Sequence, residues 1–170
     1  MTRALVFLVA AVVGLVAWSV PASADQACKP VVGHFEAVLV PPGQGHCPVA
    51  APPPEQPALC TAGRVWGGIQ GNYQFVSTGI LSSTAIAGPP EIFFFTGRST
   101  IALKSGDQLL GADTGSIDLV SPFGGFASLI TFDGGTGAMS NATGQIRLRG
   151  EFSASEGTTA GDYLGTLCSQ

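Results

Sequence analysis

Gln145-Ile146-Arg147-Leu148-Arg149-Gly150-Glu151-Phe152 alternates without a break: every odd position is polar and every even one is apolar or glycine. Successive side chains of a strand point to opposite faces, so this spacing sets Ile146, Leu148 and Phe152 on one side of a pleated strand and the charged residues on the other. Noisier alternation runs through Gly33 to Val40, Gly71 to Val76, Ile92 to Leu103, Ser116 to Val120, Ala127 to Phe132 and Asp162 to Leu167, with a shorter run around Arg64 to Ile69. About eight strands are therefore expected. The clusters Ala87-Gly88-Pro89-Pro90, Lys104-Ser105-Gly106-Asp107 and Asp133-Gly134-Gly135 read as turns between them.

No window after the first 24 residues carries a helical period, so helix should be scarce. Short strands joined by hairpin-length connections form an antiparallel meander, which removes its exposed edges by closing or by forming a sandwich. Gly71, Gly97, Gly115, Gly150 and Gly165 lie within strand patterns, where glycine destabilises unless the sheet bends sharply or packs closely. The reading is all-β: an eight-stranded antiparallel barrel.

The chain has 170 residues, a formal net charge of −4, and charged side chains at only 11%. Such a composition excludes a charge-rich disordered tail and a basic nucleic-acid binder. The apolar run Ala4 to Val20 follows Arg3 and precedes Pro21 and the small residues Ala22, Ser23 and Ala24, the pattern of a secretory signal peptide ending at residue 24. The expected organisation is a signal peptide over 1–24, an amino-terminal strand and Pro-rich loop over 25–62, and the remainder of the barrel over 63–170. The mature protein is expected to be secreted, extracellular and off the membrane.

Cys28, Cys47, Cys60 and Cys168 all lie beyond the expected cleavage point, and an even count in an oxidising compartment implies two disulfides. Pairing Cys47 with Cys60 would tether the stiff, strand-incompatible run Pro48 to Pro57, and Cys28 is then left for Cys168. His34 and His46 lack metal-ligand spacing to these cysteines, so no metal is expected and the histidines read as surface groups.

The carboxy-terminal third resembles a known group of barrels. Ile130-Thr131-Phe132-Asp133-Gly134-Gly135-Thr136-Gly137, then Ala142-Thr143-Gly144 to Gly150, then Gly161, Tyr163, Gly165, Leu167 and Cys168 are similar to the allene oxide cyclase and dirigent superfamily over residues 125–168. Cys60-Thr61-Ala62-Gly63 and Gly68 to Phe75 look like its bacterial secreted members. The resemblance implies an eight-stranded barrel of the calycin type whose interior relatives use for small apolar substrates. Ala138 and Met139 stand where that group usually places an aromatic, and none of its catalytic residues falls on a matching motif here.

Candidate functional residues are few. Asp113-Thr114-Gly115-Ser116 carries the aspartic-protease signature, but two such loops are needed and one is present, so it reads as a turn before the strand Ile117 to Val120. Phe93-Phe94-Phe95 must present rings to both faces of its strand, so the outer ring is expected under the Pro-rich loop, under the amino-terminal segment or against a partner. If Arg98 and Phe94 face inward, Arg98 lies in a cavity mouth with Glu36 as counter-ion and Tyr73 and Phe75 as aromatic walls. That would suit a small apolar molecule carrying a carboxylate or carbonyl. The alternative for Arg98 is a strand-end salt bridge. Asn141-Ala142-Thr143 fits both a glycosylation sequon and a hairpin turn. The first functional reading is a non-catalytic barrel binding a small apolar ligand or a surface partner, with no cofactor. A cyclase or isomerase is the second, and a structural cell-surface role the third.

Overall fold

The computed structural model describes residues 27–50, 58–85 and 92–169. The expected signal peptide, the Pro-rich residues 51–57 and the turn Ala87-Gly88-Pro89-Pro90 lie outside the described residues. Eight strands follow one another in chain order: β1 (Ala27–Val40), β2 (Cys60–Gly67), β3 (Gly71–Ser82), β4 (Phe93–Leu103), β5 (Gln108–Ile117), β6 (Phe123–Gly135), β7 (Thr143–Ser153) and β8 (Thr158–Ser169). Each pairs antiparallel with the next, and β8 returns to β1, closing the barrel. Among the described residues, helix is confined to two short 3-10 turns, Ser83–Ala85 and Gly137–Met139.

Several strands differ from the sequence expectation. β1 begins at Ala27 rather than Gly33, so it contains Pro30. That segment pairs with β8 alone, β2 joining only from Gly33, and a strand with one free side tolerates a residue lacking an N–H. β5 ends at Ile117 instead of spanning Ser116 to Val120; residues 118–122 form the bend, where Asp118 accepts hydrogen bonds from the backbone N–H groups of Val120 and Ser121. Asp133-Gly134-Gly135, expected as a turn, closes β6, with Gly134 at φ 135° beside the register shift between Leu110 and Gly111. The true turn at Lys104 to Asp107 needs Gly106 at φ 92°.

The inward positions follow the alternation. Ile146, Leu148 and Phe152 face the interior as their spacing predicts, joined by Phe35, Phe95, Ile101, Ile130 and Tyr163. Inward glycines make room for rings. A Cβ on Gly97 would stand 2.4 Å from the Phe75 ring, and one on Gly115 would stand 2.4 Å from the Phe95 ring. Glycine in these strands is thus the mould for the aromatics opposite, since interiors are packed to crystal density.

The two disulfides are the expected pairs. Cys28–Cys168 joins directly opposed residues of the first and last strands, at the seam where the barrel closes. Cys47–Cys60 draws the 41–50 loop onto the outer face of β2 and β3, where Cys47, Ala58 and Cys60 bury against Val40 and Val76 in a separate small cluster.

Candidate functional site

The interior divides into three levels. One end is stoppered by the β2–β3 connection. Ile69 there is buried, and the Tyr163 hydroxyl accepts a hydrogen bond from its N–H at 2.7 Å and donates to its carbonyl at 3.0 Å. The opposite end, where β1, β3, β5 and β7 finish, is an apolar mouth. Five phenylalanines, Phe35, Phe75, Phe95, Phe126 and Phe152, crowd it together with Leu39, Leu59 and Ile117. Phe75 meets Phe95 edge-on with centroids 5.2 Å apart, Phe95 stacks on Phe126 at 6.1 Å, and Phe126 touches Phe35 at 5.8 Å. These geometries are the ones aromatic quadrupoles favour. The crevice left between them is only about 20 Å³.

Between the two ends lies a buried polar cluster. Asp113, 1% exposed, projects inward from β5 in a strip of inward-facing glycines, Gly111 and Gly115 on its own strand and Gly97 directly opposite on β4. Its Oδ2 accepts from Ser99 Oγ at 2.6 Å and from the Tyr73 hydroxyl at 3.4 Å, while Oδ1 accepts from Ser128 Oγ. Ser99 also lies 3.2 Å from the Tyr73 hydroxyl. Burial pushes the Asp113 carboxyl above its ordinary value, opposed by the hydrogen bonds from Ser128, Ser99 and Tyr73. Burial first, and then the neighbouring Asp113 charge, raise the Tyr73 phenol far above its ordinary value, so it stays neutral. Every buried side-chain polar atom among the described residues has a partner. Three hydroxyls, those of Tyr73, Ser99 and Ser128, thus converge on one buried carboxylate.

The sequence-derived residues separate into two groups. Tyr73 and Phe75 face the interior, Tyr73 tying the mouth to the Asp113 cluster. Glu36, Phe94 and Arg98 face outward, which corrects the inward placement considered for the arginine. Arg98 forms a two-pronged pair with Asp133, Nη1 to Oδ2 and Nη2 to Oδ1 at 2.9 Å, and Glu36 instead takes Arg64 at 2.7 Å. The inward face of β4 is Phe95, Gly97, Ser99 and Ile101. With Arg98 outward its charge stays at the surface beside Asp133, and the inward Gly97 and Ser99 leave room for the Phe75 ring and a donor for Asp113. Phe94 keeps 44% of its surface exposed among the described residues, and the Pro-rich residues 51–57 expected to cover it lie outside them.

The largest correction concerns Asp113-Thr114-Gly115-Ser116, which is neither a protease loop nor a turn. It is the middle of β5, and Asp113 is the centre of the interior cluster. Leu109, Gly111, Asp113, Gly115 and Ile117 alternate as one face, and that period-two run was the signal available. Of the two histidines, His34 is on the surface, 2.6 Å from Asp162, but His46 is half-buried and donates from Nε2 to the Phe75 carbonyl at 3.1 Å. Among the described residues no cluster of three or more His, Cys, Asp or Glu side chains could hold a metal ion.

No family model matches this chain, and no curated protein matches it. Among solved structures it is similar to that of a pterocarpan synthase dirigent protein, with a TM-score of 0.44 and 14% identity over 85% of this chain and 86% of that one. The closed eight-stranded barrel rests on this chain's own strand pairing.

Proposed function

We propose that this protein is a secreted, disulfide-braced binding barrel that takes a small apolar molecule at its phenylalanine-lined mouth. The observation that carries this reading is the contrast along the barrel axis: an aromatic mouth, closed behind by a carboxylate whose hydrogen bonds are all made internally. Apolar pockets with a few placed polar groups are the usual form of small-molecule sites. A cyclase or isomerase acting in the same space is the second reading, with Tyr73 and Asp113 as its inward-facing titratable groups. Both disulfides fit an oxidising compartment outside the cytoplasm.

Entry requires a ring to yield. Phe126, half-buried at the rim and in contact with both Phe35 and Phe95, is the ring placed to do so. Titration with the fluorescent probe N-phenyl-1-naphthylamine tests the proposal. Binding to the wild type is expected, with tighter binding by Phe126→Ala, because deleting a ring opens an apolar cavity of the kind that accepts aromatic molecules. Phe126→Trp is expected to weaken it. No enhancement of probe emission by the wild type or by Phe126→Ala would overturn the proposal.

A further inference from the structure

On the outside of the barrel, well away from the mouth cluster, a shallow groove of about 430 Å³ crosses β2 and β3 beside their connecting turn. Its walls include Glu36, Arg64, Trp66, Gln70, Asn72 and Lys104. The register explains the assembly: Glu36 stands opposite Arg64, and Arg64 opposite Asn72, so one row of outward side chains crosses three strands. Trp66 lies two residues along the same face and keeps 42% of its surface exposed. The His34 ring, held by Asp162, lies 5.8 Å from the indole at an angle of 33° and widens the platform.

The polar groups around the indole are planar and pre-positioned. Arg64 donates from both Nε and Nη2 to Glu36 Oε1, at 3.2 and 2.7 Å, which leaves Glu36 Oε2 and Arg64 Nη1 without a protein partner among the described residues. Lys104 Nζ donates to Gln70 Oε1 at 2.9 Å, fixing that amide at the groove's edge. The Asn72 amide makes no side-chain hydrogen bond among the described residues, so its donor and acceptor are both unused.

From this combination we infer that the Trp66 groove binds a neutral sugar chain. A pyranose presents a flat face of C–H groups and a rim of hydroxyls, each both donor and acceptor. The indole matches the first, and a carboxylate oxygen, a guanidinium N–H and a free amide match the second. Other ligand classes fit less well. An apolar molecule would leave Glu36 Oε2, Arg64 Nη1 and the Asn72 amide without partners beneath it. An anion meets an arginine already neutralised by Glu36, and nucleic acid meets a chain of net charge −4.

Of the two tryptophans, Trp18 falls in the expected signal peptide over 1–24, so in the protein lacking those residues Trp66 is the single indole reporter. Its emission is titrated with cellohexaose, laminarihexaose and chitohexaose at up to millimolar concentration. At least one is expected to give a saturable change. By calorimetry, Trp66→Ala is expected to weaken that binding roughly tenfold or more, and Asn72→Ala, which leaves the indole in place, to weaken it severalfold. Both variants should keep the wild-type far-ultraviolet spectrum, since both side chains stand outside the core. No saturable response to any of the three probes, or unchanged affinity in both variants, would overturn the inference.

Discussion

Tyr163 and Ile69 are 94 residues apart in sequence, yet one hydroxyl satisfies both backbone groups of the other residue, accepting from its N–H at 2.7 Å and donating to its carbonyl at 3.0 Å. The contact fixes the β2–β3 turn over one end of the barrel and makes that end a closed floor. Tyr163→Phe removes the oxygen, keeps the ring that packs over Gly33, and strands two buried backbone groups. Urea denaturation is expected to show a loss of about 1–3 kcal/mol.

The glycines inside the barrel and those on its rim should behave oppositely. Alanine at Gly97 places a Cβ 2.4 Å from both the Phe75 ring and the Val76 carbonyl, so the clash is with backbone as well as with a side chain. Gly97→Ala is expected to lose on the order of 1–3 kcal/mol, and trimming the ring with Phe75→Leu should not restore it fully. Gly125→Ala meets nothing within 4 Å and is expected to leave the denaturation midpoint nearly unchanged. Equal effects at the two positions would contradict the inward assignment of Gly97.

How much of this was legible follows from the alternation. The strands whose inward face is apolar, as at Ile146, Leu148 and Phe152, announce themselves, because a period of two in hydrophobicity has one physical reading. β5 hides because its inward face is Leu109, Gly111, Asp113, Gly115 and Ile117, where glycine and an acid replace the apolar residues that mark a core strand. The same cause hides the interior cluster: Ser99 and Ser128 look like surface residues until the barrel closes around them. For β4 the alternation left both faces open, and the choice fell on packing around Gly97 and Ser99, which needs the partner strands. The disulfide pairs could be read directly, since a stiff proline-rich loop favours a local bridge and the remaining two cysteines lie near the chain's ends.

Asp113 gives the protein a pH dependence of identifiable sign. Burial raises its folded-state value above the ordinary 3.8, so the folded state holds the proton more tightly than the unfolded one. Stability from this group is full below that value and falls as pH rises through the raised folded value. Asp133, held down by Arg98, and Asp118, held down by Ser121, contribute the opposite way, losing stability as pH falls through their lowered values. Asp113→Asn keeps the size of the side chain and the other two groups. The difference in unfolding free energy between variant and wild type is expected to move in the variant's favour as pH rises from about 3.8. A difference independent of pH would contradict the burial of a titrating Asp113.

The two bridges should differ in their contribution. Cys28–Cys168 closes a sequence separation of 140 residues and Cys47–Cys60 one of 13. On the chain-entropy account the long loop contributes nearly 5 kcal/mol and the short one about 3. Replacing Cys28 and Cys168 together by serine is therefore expected to lower the melting temperature more than replacing Cys47 and Cys60. The reverse order would mean that the 41–50 loop braces the barrel more strongly than its seam does.

The binding reading is tested most directly by where a ligand perturbs the protein. Isoleucine and leucine methyl resonances followed by NMR during titration with N-phenyl-1-naphthylamine report both ends of the barrel at once. Shifts are expected at Leu39, Leu59 and Ile117, which line the mouth, with none at Ile69 or Leu109 on the closed side. Unmoved methyls throughout, or shifts confined to the outward-facing Leu81 and Leu164, would contradict a ligand site in the mouth.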